Sequence, residues 1–146
     1  IGSITRIVYT PCPPSQVQEK MSEYVQLLAK DLEENIKMAR VGDIDWIDLF
    51  HNLAKHHIEF ENIHPFIDGN GRTGRLLLTY ELICMGLLPV DIRYEERDRY
   101  YAAIKAYRDK EKYSDRPDSK TEKLAKLLAE CELQSMEIWL RTFDNH

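Results

Sequence analysis

The chain has 146 residues, 43% of them hydrophobic and 31% charged, with a formal net charge of -5. This length suits one domain with a true core, and basic residues interleaved with an excess of acids exclude a general nucleic-acid binder, which needs a basic face for phosphate contacts. Cys12, Cys84 and Cys131 are odd in number, far apart and form no CxxC pair, so neither a disulfide framework nor a zinc site is indicated and a reducing cytoplasm is the expected location.

The chain opens at Ile1 without a methionine and is expected to be a piece of a longer protein. No run reaches the length of a membrane span and no charged-then-apolar leader pattern is present, so no membrane partner is expected. Residues 1–14 read as an extended arm. The β-branched run ITRIVYT suits a strand or hairpin, and Pro11, Pro13 and Pro14 separate it from the rest of the chain. Ser15 is expected to start a first helix, with Gln18 completing a capping box. Val17, Met21, Tyr24, Leu28, Leu32 and Ile36 then recur at helical spacing toward Arg40.

Asp43 or Asp45 can cap a second helix that carries Ile47, Phe50, Leu53, His57, Ile58 and Phe60 and stops ahead of Pro65. A third is expected from near Gly71. It carries Leu76, Leu77, Leu78, Tyr80, Leu82 and Ile83, is apolar on almost every side, and is therefore expected at the centre of the bundle, with Gly86 as its stop. A fourth spans RYEERDRYYAAIKAYRDKEK, with Tyr100, Tyr101, Ile104 and Tyr107 inward. After a polar loop at 114–119, the last helix runs to about Phe143 with Leu124, Leu128, Cys131, Leu133, Met136 and Leu140 inward. The expected fold class is all-α, a helical bundle with a small N-terminal β-hairpin.

Between the second and third helices lies HPFIDGNGRTGR, residues 64–75. A loop that leads into a helix N-terminus offers unpaired N–H groups and a positive dipole end to phosphate. Glycines let that backbone approach closely, and Arg72 and Arg75 add charge one turn apart. Asp68 is a single carboxylate beside this anion seat, the usual way to hold Mg²⁺. His64 can be neutral at cellular pH and accept a proton from an attacking hydroxyl. Asn70 has two competing uses, helix N-cap and phosphate contact, and the flanking arginines favour the second.

These twelve residues match the signature of the Fic (Fido) family, HxFx[DE]GNGRxxR, at every specified position. KHHIEFENIHPF, RLLLTYELICMGLLP and RYEERDRYYAAI also resemble the corresponding parts of Fic domains, so the likeness covers most of residues 1–110. The resemblance implies a protein adenylyltransferase that moves AMP from ATP to a Ser, Thr or Tyr hydroxyl of a target protein, the enzyme itself included. It makes His64 the general base, Asp68 the Mg²⁺ ligand, Gly69, Asn70 and Gly71 the anion hole, and Arg72 and Arg75 contacts to the phosphate tail. Phe66 would point into the core to fix the loop. Residues 1–14 would be the flap beside the site, and 15–146 the helical core with its C-terminal helix, one domain in all.

The family's restraining motif, [ST]xxxE[GN], has only near matches, SQVQEK at 15–20 and KDLEEN at 30–35. An inhibitory helix is therefore expected on a missing segment, on a partner protein, or nowhere. Two rival readings keep the fold: transfer of another phosphate-containing group, and a catalytically silent nucleotide-binding domain. Tyr100 and Tyr101 are carried as candidate adenine contacts, although aromatics at helical spacing are more often core. His51, His56 and His57 lack the HExxH spacing of a metal site; His57 is expected to be a satisfied structural residue and His56 to lie in solvent. The run RDKEKYSDR reads as a solvated helix end and loop.

Overall fold

The computed structural model describes residues 11–108 and 120–145. Among the described residues there are five α-helices: α1 (Pro14–Arg40), α2 (Trp46–Ile63), α3 (Asn70–Cys84), α4 (Arg97–Arg108) and α5 (Glu122–Asp144). There is no strand among the described residues, and the expected hairpin arm falls largely on residues 1–10, outside them.

The Ser15 capping box is not formed. Pro13 occupies the N-cap position of α1 and no side chain caps the helix. Pro14, whose fixed φ and missing N–H suit the first turn, begins the helix one residue earlier and leaves Ser15 inside it. In α2 the cap is Asp45, whose Oδ1 accepts from the N–H groups of Ile47 (2.9 Å) and Asp48 (3.1 Å). The fourth segment opens as a 3-10 turn at Tyr94–Glu96 before α4.

The centre of the bundle is α2, not α3. It packs against α1, α3 and α5 together, and its Leu53, Ala54, Ile58 and Phe60 are almost wholly buried. Leu78 and Leu82 of α3 join that core, but Leu76, Tyr80 and Ile83 are each more than half exposed. Expecting α3 at the centre counted its apolar residues without a partner for each face; only the face that meets α2 and α1 is covered.

Three polar side chains tie these helices from within. His56 of α2, 1% exposed rather than solvated, sits between Glu81 of α3 (Nδ1 to Oε2, 2.7 Å) and Asp31 of α1 (Nε2 to Oδ2, 2.9 Å). A neutral imidazole has one N–H and could donate to only one of the two carboxylates. Burial pulls the basicity of His56 down, yet the hydrogen bonds and charges of Glu81 and Asp31 together carry it above its ordinary value.

In α4, Tyr100 and Ile104 face inward while Tyr101 is more than half exposed, because adjacent helical residues point about 100° apart. In α5, Leu124, Leu127, Leu128 and Cys131 are buried, whereas Leu133 and Leu140, expected inward, are exposed. From Glu137 onward every described residue of α5 is exposed, so the end of this helix runs past the elements that cover its first half. Among the described residues no helix is long and apolar enough to cross a membrane.

Candidate functional site

The site begins where α2 stops. Pro65 bars the preceding residue from the right-handed helical region, and His64 takes the left-handed conformation, φ 52° and ψ 58°, as the helix C-cap, its N–H bonded to the Phe60 carbonyl at 3.0 Å. His64 is the single non-glycine with positive φ among the described residues. Histidine is among the residues that tolerate this region, and the turn swings its side chain off the helix toward α3 and α4.

The loop from Pro65 to Gly69 is closed by Asn70. Its Oδ1 accepts from the Phe66 N–H (2.9 Å) and its Nδ2 donates to the Phe66 carbonyl (2.7 Å), and the residue is 3% exposed. Neither use foreseen for the amide, N-cap or phosphate contact, is the one found: it clamps the loop, and the N-cap is Gly69 with φ 84°. Phe66 does not enter the core either; it lies half exposed, its ring 6.5 Å from that of Phe60.

Asn70→Ala removes both bonds and leaves the Phe66 amide unmatched. It is expected to lower unfolding free energy by about 2–3 kcal/mol, measured by denaturant unfolding.

The first bond within α3 is donated by the Thr73 N–H to the Gly69 carbonyl (3.0 Å). The N–H groups of Asn70, Gly71 and Arg72 thus precede the helical ladder at its positive end. Beside this turn is a cleft of about 250 Å³ whose lining includes His64, Gly71, Arg75, Tyr100 and Tyr101. Five of the residues singled out in the sequence thus meet at one place. Asp68, Gly69, Asn70 and Arg72 stand outside the lining, on the loop and first turn next to it. Asp68 and Arg72 are exposed and face each other loosely (3.4 Å), and the second oxygen of Asp68 accepts from the Gly69 N–H (2.7 Å).

Tyr100 lines the cleft with its ring, but its hydroxyl is committed to His57 Nε2 at 2.6 Å. Burial lowers the His57 pKa to about 4, with the charge of Arg75 adding to the effect, so this ring is neutral. With the Gly74 carbonyl 3.3 Å from Nδ1, that nitrogen carries the proton and Nε2 accepts the Tyr100 O–H. The pair gives His57 the satisfied structural role expected of it.

Sequence reasoning missed Glu61 and Arg108, which also line the cleft. Burial pushes the Glu61 carboxyl up while His64, Arg75 and Arg108 oppose that shift. Its place in the last turn of α2, three residues before His64, was the signal that could have found it. Arg108 heads the run expected to be solvated, yet its Nε donates to Asn62 Oδ1 at 2.6 Å. The close approach of α3 to α2 depends on Gly74: a Cβ there would lie 2.6 Å from Glu61 Oε1 and 3.2 Å from Phe60 Cδ1.

Known proteins share both the sequence and the fold of this region. The chain is 36% identical over 89 residues to Protein adenylyltransferase Fic of Nematostella vectensis, covering 56% of the chain and 20% of that relative. It is 33% identical over 96 residues to Protein adenylyltransferase fic-1 of Caenorhabditis elegans, covering 66% of the chain and 17% of the relative. The chain thus spans no more than a fifth of their length. The crystal structure of a Fic domain containing signaling protein from Bacteroides thetaiotaomicron superposes with a TM-score of 0.68 at 22% identity, covering 94% of this chain and 49% of that one, and so shares the fold. A model of the Fic/DOC family matches residues 2–82, more than half of the sequence, and on that match the chain belongs to the Fic/DOC family.

Proposed function

We propose that this chain is the transferase domain of a protein adenylyltransferase, moving AMP from ATP to a Ser, Thr or Tyr hydroxyl of a target protein. The observation that carries the reading is the cleft in which His64 and Arg75 meet the first turn of α3. His64 takes the proton of the target hydroxyl, whose oxygen attacks the α-phosphorus while pyrophosphate leaves. The backbone N–H groups of Asn70 and Gly71 face the phosphates, with Arg72 and Arg75 contacting the tail. Tyr101 offers the cleft a half-exposed ring for the base, and Tyr100 a wall held rigid by His57.

The described residues contain no group of three or more His, Cys, Asp or Glu able to hold a metal by themselves. What they offer fits Mg²⁺ carried in with a nucleotide: the exposed Asp68 carboxylate would supply one oxygen and the phosphates others. When bound, the ion supplies neutralisation of phosphate charge. The relatives' names support the choice of AMP as the transferred group and a protein as its acceptor.

Arg75 is also the residue on which an inhibitory helix, from another segment or a partner protein, would act. Arg75→Ala is expected to weaken ATP binding by about 10- to 100-fold, the worth of a charge-assisted hydrogen bond, measured by titration calorimetry. The function itself is tested by incubating the chain with isotope-labelled ATP, Mg²⁺ and lysate, then analysing labelled peptides by mass spectrometry, those of the chain included. Peptides carrying AMP on a hydroxyl residue are the expected product, and an added mass other than AMP would overturn the reading.

A further inference from the structure

At the opposite end of α2 from His64, the start of that helix and the side of α5 enclose an apolar groove of about 470 Å³. Trp46, Ile47 and Leu133 line it, each more than half exposed. The face of α5 that borders the groove includes Ala125, Ala129, Leu133 and Met136, and the same face continues to Trp139, Leu140 and Phe143, which are also more than half exposed. Trp139 and Phe143 already pack against one another, ring centroids 4.3 Å apart and ring planes tilted by 56°. Groove and apolar tip therefore share one unbroken helix, and the tip cannot fold back into its own groove.

We infer that this face is a homodimer interface, in which the α5 tip of each copy fills the groove of the other in an antiparallel pair. Three features fit a second copy. Ala125 and Ala129 are small where Met136, Leu140 and Phe143 are large, so reversing one helix against the other sets large against small. Charge agrees with this direction: the antiparallel alignment that sets Arg141 across from Glu122 also sets Glu137 across from Lys126, and it lies two residues, about 3 Å, from the one that sets Leu140 across from Ala125 and Met136 across from Ala129, within reach of these long side chains; two-fold symmetry makes each pair twice. The area is adequate too. Six half-exposed large apolar side chains offer on the order of 100 Å² each, so the pair buries roughly 1,200 Å², at the lower edge of stable interfaces.

On α2 the groove reaches to His51 and the cleft begins at Glu61, about 15 Å further along at 1.5 Å per residue, so the proposed interface and the cleft share no lining residue.

Sedimentation velocity over a concentration series tests this on the 146-residue chain. The expected result is a monomer–dimer equilibrium in the micromolar range. Leu140→Asp, at a site exposed in the monomer, should keep the helical content and thermal unfolding of the monomer and weaken association at least ~100-fold, because each interface would bury two carboxylates. Lys126→Glu should weaken it several-fold, and adding Glu137→Lys should restore it. A chain that stays monomeric throughout, a dimer indifferent to Leu140→Asp, or a failed charge reversal would each overturn the proposal.

Discussion

His64→Ala is expected to cut AMP transfer by about 10²–10⁴-fold, the usual worth of a positioned general base, while ATP still binds. The loss should appear in turnover and not in nucleotide affinity, because the proposed anion seat is the α3 backbone with Arg72 and Arg75, not the imidazole. The substitution also places alanine in the left-handed conformation that His64 occupies, at a backbone cost of about 1 kcal/mol. His64→Asn is the control. Asparagine tolerates that conformation but has no basic nitrogen, so the variant should fold like the parent and transfer no faster than His64→Ala. Recovery of activity in His64→Asn would assign the histidine a structural role.

Stability should be most sensitive elsewhere, in the Asp31–His56–Glu81 tie. His56→Ala leaves the buried Glu81 carboxylate without its partner. Removing one member of a buried charged pair costs about 3–5 kcal/mol, so Tm should fall on the order of 10 °C for a chain of this size.

The tie should also give stability a pH dependence. The folded His56 holds its proton more tightly than its ordinary value of 6.5, so the folded state binds more protons than the unfolded one as the pH rises past that point. Its contribution is therefore complete below the unfolded value and is lost as pH climbs through the shifted one. Burial raises the Glu81 carboxyl as well, which acts in the same direction. Denaturant unfolding measured between about pH 5 and pH 8, the range in which histidine titrates, should show a decline that is much reduced in His56→Gln. A rise with pH would be incompatible with a charged His56.

Residues 64–75 were legible in the sequence because their chemistry is contiguous: the turn, its glycines and its charges need no distant partner. The helices were legible for a similar reason, since apolar spacing and the Asp45 cap are local signals. What sequence did not show depends on pairing across the fold. Asp31, His56 and Glu81 stand twenty-five residues apart at each step, and without its two carboxylates a histidine beside lysine reads as solvent-facing. The same gap put α3 at the centre, since helical periodicity tells which residues are apolar but not how many faces find a neighbour. The loop bonds of Asn70 are a case on a finer scale. Its amide could satisfy a helix, a ligand or the loop, and the backbone path of Phe66 decided for the loop.

AMP transfer at the His64 cleft can be put to the proof by supplying ATP labelled at either the α- or the γ-phosphate, with Mg²⁺ and target-containing lysate. Label from the α-phosphate should become bound to protein, label from the γ-phosphate should not, and His64→Ala should abolish the signal. Protein-bound γ-label, or binding of ATP with no transfer of either label, would rule out adenylyl transfer by this cleft.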